Sequence, residues 1–137
     1  MSLYDFFMYG CLFLSALVIA MHIYAACYFK AHQVAYQDLI DRYQKAGLQL
    51  DLTTKFANNL GFYANYQKIA FFMNLRKGRQ MRFSQTEKVS IRAYDFVQQQ
   101  PQENVAWIEK TLHLYQFTFC MTFAWVFFMS LFIYVLN

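Results

Sequence analysis

The sequence predicts an all-α membrane protein: two transmembrane helices extended into the cytoplasm, with two shorter helices between them. Three observations carry this reading. Nineteen of the 20 charged residues lie between Lys30 and Lys110, Asp5 being the exception. The two stretches left without charge, Phe6–Phe29 and Thr111–Asn137, are each longer than the ~20 residues a helix needs to cross ~30 Å of hydrocarbon. One Pro and four Gly in 137 residues leave few helix breakers, which favours long helices. The organisation that follows is a first span over 1–30, a helical basic segment over 31–110 and a second span over 111–137.

The first helix is expected to continue past the membrane. Beyond Phe29, polar Lys30, His32, Gln33, Gln37, Asp38, Asp41 and Arg42 interleave with Val34, Leu39, Ile40 and Tyr43 at helical spacing. The next breaker is Gly47, so one helix is predicted from near Leu3 to Ala46. Asp51 or Thr53 caps a second helix. Its apolar face, read to Leu75, is Leu52, Phe56, Leu60, Tyr63, Ile69, Phe72 and Met73, and Arg76-Lys77-Gly78-Arg79 ends it. Ser84-Gln85-Thr86-Glu87 has capping-box spacing, in which Ser and Glu side chains satisfy each other's backbone donors. The helix predicted from that box carries Val89, Ala93, Phe96 and Val97 on one side and stops at Gln98-Gln99-Gln100-Pro101-Gln102. Gln102 or Asn104 then starts the last helix, which runs through Trp107 and Ile108 into the second span.

Charge sets the expected orientation. The middle holds all 12 Lys and Arg against seven acids, a formal +5, and the positive-inside rule keeps such a segment in the cytoplasm. Both termini are then expected on the outer side. A cleavable signal peptide is not expected, because its n-region should be basic and its apolar core ~7–15 residues. Here Asp5 precedes an apolar run of 24 residues. Cys11, Cys27 and Cys120 form an odd set without CxxC spacing, so they read as small buried thiols rather than a disulfide or metal framework.

Candidate functional residues fall into three groups. His22 and His113 lie within the spans, where ionisable groups are functional candidates by default. His22 is eight residues before Lys30, roughly 12 Å deep, and His113 three beyond Lys110, roughly 4–5 Å deep. Those depths differ, whereas a bis-histidine haem needs both rings at one level. Interhelical hydrogen bonding is the expected role, and no cofactor or metal is assigned. The second group comprises two stripes at helical spacing: Cys11, Ser15, His22 and Ala26 in the first span, and His113, Gln116, Cys120 and Ala124 in the second. Small, weakly polar faces let helix backbones approach, so these read as packing faces within the hairpin or between copies. On this reading Ala124→Leu or Ser15→Leu disrupts packing, and Phe128→Leu, on the bulky side, matters little. Tyr4, Tyr9, Tyr28, Tyr115 and Tyr134 fall near the expected interfaces, where amphipathic rings prefer to sit.

The third group is basic. Arg76, Lys77, Arg79 and Arg82 follow the apolar run Ile69-Ala70-Phe71-Phe72-Met73, a pattern suited to an anionic inner leaflet at ~1 kcal/mol per residue. Membrane lipid is therefore the expected ligand of this cluster. Nucleic acid is not expected, since no RNA- or DNA-binding motif accompanies the charge. A phosphate-cradling glycine loop, GxSxG, HExxH and an intramembrane carboxylate pair are all missing from the sequence, so no catalytic residue is assigned.

Thr86–Gln98 (TEKVSIRAYDFVQ), Trp107–Lys110 (WIEK) and Tyr115–Phe117 (YQF) together resemble the universal stress protein B family. Those are small bacterial inner-membrane proteins with one span at each end. The resemblance covers about a quarter of the chain in detail and all of it in architecture; the shared residues are scattered. The middle around Leu48 to Leu75 is longer than the family's, so its role is not inherited. The resemblance implies a bacterial inner membrane, with both termini periplasmic, and a stress-linked setting, and it transfers no catalytic residues. The expectation is a non-enzymatic protein acting by self-assembly into a homo-oligomer, or with an unlike membrane-protein partner, and by inner-leaflet contact. The alternative is a small subunit of a membrane redox or transport complex using His22 and His113.

Overall fold

A computed structural model describes residues 1–83 and 85–136, without the side chains of Phe62 and Tyr63. Among these residues there are six α-helices and no strand: α1 Leu3–Ala31, α2 Gln33–Lys45, α3 Leu52–Asn59, α4 Asn65–Arg76, α5 Ile91–Gln98 and α6 Gln102–Leu136. A short 3-10 helix, Gly61–Ala64, precedes α4. The all-helical class stands, and α1 and α6 are each long and apolar enough to cross a membrane. Contacts divide the chain into two compact units, Met1–Cys27 with His113–Asn137, and Tyr28–Leu112.

Three expected elements are corrected. The long helix from Leu3 to Ala46 is interrupted at His32, whose ψ of 11° leaves the helical range. Its amide takes a tight bond to Phe29 O at 2.9 Å, and its Nδ1 donates to Tyr28 O at 2.9 Å, so the side chain competes with the backbone ladder. The helix expected from Asp51 to Leu75 is split in two. Asp51 does cap it, accepting from Thr54 N at 3.1 Å. Gly61 then adopts φ +65°, a conformation costly for any residue with a Cβ, and the chain restarts as α4. The helix expected from the capping box begins only at Ile91, after Ser90. Thr86 and Glu87 instead lie beside a single antiparallel bridge, Arg82 to Lys88, held by Phe83 N to Glu87 O at 2.8 Å. Ser84 of the box, Asn137 and the Tyr63 side chain lie outside what the structure describes. In place of two short helices there are therefore four.

The Tyr28–Leu112 unit has an aromatic core. α2 buries Tyr36, Leu39, Ile40 and Tyr43, the spacing of one helix face. α4 buries Ile69, Phe71, Phe72, Met73 and Leu75, and Ala93 and Val97 of α5 join Val105 and Ile108 of α6 in the interior. Tyr43 meets Phe71, Phe72 and Phe96 edge-on, with ring centroids 5.5–6.0 Å apart.

The helices of the other unit bury far less. Cys11, Val18 and Ala25 are buried on α1 at seven-residue intervals, with Tyr115 and Thr118 on α6. This is a narrow seam of heptad spacing, and most remaining large apolar side chains, such as Phe13, Ile19, Phe123 and Phe127, are exposed. That pattern suits a lipid environment, where apolar side chains gain little by leaving the surface.

Candidate functional site

Within the helical hairpin, the seam joins Cys11 and Ser15 of the expected first-span stripe to aromatic residues of α6, Trp125 and Phe128, that lie outside the expected second-span stripe. Trp125 Nε1 donates to Ser15 Oγ at 2.7 Å, and Ser15 Oγ donates in turn to Cys11 O at 2.7 Å. The Phe128 ring lies over Gly10 so closely that a Cβ there would sit 2.9 Å from two ring carbons. Phe7 meets Phe128 and Phe132 at 5.3 and 6.4 Å, and Tyr4 meets Phe132 at 5.7 Å. Phe128 is thus a seam residue, which corrects the expectation that it matters little. Gly10 was passed over because a lone glycine in an apolar run carries no periodic signal.

The stripes divide. Cys11 is buried and Ser15 and Ala26 are half-buried, but His22 is exposed. On α6, His113, Gln116, Cys120 and Ala124 are all exposed. The seam uses Thr118 instead, two positions along and nearly opposite the expected face, and the α6 stripe is not a packing face within this hairpin. Thr118, Thr122 and Ser130 each donate to the carbonyl four residues earlier, at 2.8–2.9 Å. His22 Nδ1 lies 2.8 Å from Val18 O. A carbonyl only accepts, so Nδ1 carries the proton and Nε2 is left as an acceptor on the helix surface.

The basic cluster also divides. Arg76 Nη1 donates to Val97 O and Gln100 O, both at 3.3 Å, and Nη2 to Gln102 Oε1 at 2.6 Å. The guanidinium caps the carbonyls at the end of α5 and ties them to the start of α6. Its donors are committed inside the fold, so Arg76 is removed from the lipid-surface group. The apolar run beside it is likewise interior, with Ile69, Phe71, Phe72 and Met73 all buried. Lys77, Arg79 and Arg82 are exposed.

The chain matches no protein family, no curated protein and no solved structure. The chemistry available therefore has to be read from the geometry.

An open cleft of about 580 Å³ in the Tyr28–Leu112 unit gathers the most titratable groups: His32, Asp38, Arg42 and Glu103, with Ala35, Asn104 and Trp107. Asp38 and Arg42 are paired at 3.0 Å, and Arg42 also donates to Gln100 Oε1 at 2.7 Å. His32 stacks on Trp107 with planes 6° apart and centroids at 5.4 Å. Arg42 thus ties α2 to the linker before α6, and the lining residues include no Ser, Cys or Lys nucleophile. Among the described residues no group of three or more His, Cys, Asp or Glu is placed to hold a metal ion. Deeper in the unit, Tyr36 OH donates to Asn58 Oδ1 at 2.7 Å, and burial with the nearby Asp51 charge pushes the phenol well above its ordinary range. Lys68 is buried, with Nζ donating to Gly61 O at 2.9 Å and lying 5.5 Å from the Phe29 ring centroid. Desolvation lowers its pKa. Both side chains are bonded within the unit, as structural anchors that no sequence pattern marks.

Proposed function

We propose that this chain is a non-enzymatic protein of the bacterial inner membrane that works by assembling through its spans, with copies of itself or with an unlike membrane partner, and by contacting the inner leaflet. The observation that carries this is the exposed polar stripe of α6. His113, Gln116 and Cys120 face outward on a helix whose neighbouring surface is Phe117, Phe123 and Phe127. Polar groups turned toward hydrocarbon are costly, and the usual resolution is a second helix that accepts their hydrogen bonds. The Nε2 of His22 is a further acceptor in the same position. The +5 segment Lys30–Lys110 sits in the cytoplasm on this reading, both termini are periplasmic, and Lys77, Arg79 and Arg82 meet anionic headgroups. The resemblance to the universal stress protein B family supports the same membrane and a stress-linked setting.

Cys120 supplies a native test. Mild oxidation of membranes holding the full chain should give a disulfide-linked dimer that disappears in Cys120→Ser and persists in Cys27→Ser. Only monomers, both here and with lysine cross-linkers, would defeat self-assembly. Heavier adducts that contain another protein would transfer the stripe to an unlike partner.

A further inference from the structure

α3 is amphipathic the wrong way round for a helix on a water-soluble unit. Its inward face is Thr54 and Ala57, both buried, with Asn58 accepting from the Tyr36 hydroxyl. Its outward face carries Leu52 and Phe56, exposed at 75% and 65%, and is continued by the C-cap residue Leu60, exposed at 46%. These three lie at i, i+4 and i+8, a single stripe. The sequence assigned them to the same face as Ile69, Phe72 and Met73, but the break at Gly61 separates the two sets, and only the second set enters the core. The helix is held by a cap, a buried Thr, an Ala and one tyrosine hydrogen bond, while its large apolar side chains keep much of their surface outside the unit that carries them.

We infer that the outward face of α3 is a membrane-surface anchor, with Leu52, Phe56 and Leu60 lying in the headgroup–acyl boundary of the leaflet. The inference rests on the bilayer placement proposed above. Two arguments select lipid over a second copy of the chain. The unit is joined by its first and last residues, Tyr28 and Leu112, to the two helices able to cross a membrane, so connectivity alone holds α3 close to a bilayer. The stripe is also small: three side chains offer on the order of 300–400 Å², well short of the ~800 Å² per partner of a stable protein interface. A tethered helix needs no such area, because it searches only the surface to which it is attached. Exposed Lys55 flanks the stripe, and the one acid of the segment, Asp51, is occupied as the cap. That charge pattern suits an anionic leaflet. The anchor takes the place of the Ile69–Met73 run, whose large side chains are buried in the core.

The test uses the full chain with its exposed cysteines removed (Cys27→Ser, Cys120→Ser), Cys11 being buried. Single Leu52→Cys, Phe56→Cys and Leu60→Cys variants carry a polarity-sensitive dye in phosphatidylethanolamine–phosphatidylglycerol vesicles. Gln37→Cys, exposed on α2, reports water, and Phe123→Cys, exposed on α6, reports the bilayer core; circular dichroism verifies helix content in each. An interfacial helix lies ~5–10 Å into the boundary, so dyes on the stripe should shift to the blue. Lipids brominated near the headgroup should quench them more strongly than lipids brominated near the chain ends, with Gln37→Cys unaffected. If Phe123→Cys is quenched and the stripe is not, the anchor is wrong and the bilayer placement survives. If Phe123→Cys is not quenched either, both fall. Equal quenching at positions 37 and 56 overturns the assignment to α3. A blue shift that lipid bromines do not quench, and that vanishes when the chain is diluted in lipid, assigns the face to a second copy and overturns the anchor.

Discussion

The two units use the same residue type in opposite ways. In the Tyr28–Leu112 unit, aromatic rings are sealed inside: Tyr36, Tyr43, Phe71 and Phe72 have 1% exposure or less and pack edge-to-face, with interplanar angles of 82–89°. In the hairpin, the rings that meet across the seam are tilted at 26–46°, and Phe7, Phe128 and Phe132 stay half-exposed. Polar groups reverse the pattern. The hairpin hydroxyls Thr118, Thr122 and Ser130 turn back onto their own helix, whereas Arg76, Arg42 and Arg92 bond residues 21 to 58 positions away. Water drives rings inward and tolerates long polar connections at the surface. Hydrocarbon gives rings no reason to hide and requires each polar group to find a partner, on its own helix or, as Trp125 does with Ser15, across the seam. On the bilayer placement proposed above, the difference is one of solvent.

That comparison yields its largest expected effect on truncating a ring. Phe72→Ala should destabilise the Tyr28–Leu112 unit by about 3–5 kcal/mol, the usual cost of deleting a fully buried phenylalanine. Phe132→Ala in the hairpin should cost clearly less, since lipid chains fill the space. Hydrogen exchange of the full chain in lipid nanodiscs reads both units separately. Equal losses would break the comparison.

A smaller effect sharpens the account of the seam. Gly10→Ala places a Cβ 2.9 Å from the Phe128 ring, which has no flexible end to move aside. Overpacking of this kind costs about 1–3 kcal/mol. The loss should be recovered in Gly10→Ala/Phe128→Leu, where the smaller side chain leaves room. Reversible unfolding in mixed micelles measures the cycle. If Phe128→Leu gives no relief, the close approach of helix to ring is not what positions the seam.

The same difference of solvent explains what could be read from sequence. The two long apolar helices were legible because a charge-free apolar run of more than ~20 residues with few helix breakers leaves little else for the chain to form. The core of the other unit was largely legible too: Leu39, Ile40 and Tyr43, then Ile69, Phe72 and Met73, then Ala93 and Val97 all fall where their periods put them. The boundaries failed where one residue decides. His32 breaks a helix through a side-chain bond to Tyr28 O, and Gly61 turns one apolar face into two. The role of Arg76 was hidden because a guanidinium beside an apolar run looks the same whether it meets phosphate or capped carbonyls. Stripe assignments suffered most. Cys120 and Thr118 are two positions apart, and only the packed helix shows that Thr118 faces the seam and Cys120 faces out.

The smallest effect tests the polar half of the comparison. Trp125→Phe keeps an aromatic ring, though a smaller one, and removes the N–H that bonds Ser15 Oγ at 2.7 Å. Ser15 is not left wanting, because its hydroxyl still donates to Cys11 O on its own helix. Interhelical hydrogen bonds in membranes average only ~0.6 kcal/mol, since the separated helices find other partners. Trp125→Phe should therefore lower hairpin stability by about that amount, and Ser15→Ala by no more. Tyr36→Phe, which removes the hydroxyl that donates to the half-buried Asn58 Oδ1, should cost the other unit more, about 1–1.5 kcal/mol for a lost hydrogen bond. The pair can be compared in one exchange experiment on the full chain. A Trp125→Phe loss that matched or exceeded the Tyr36→Phe loss would mean that the Ser15–Trp125 bond, and not ring-on-glycine contact at Gly10, holds the hairpin together.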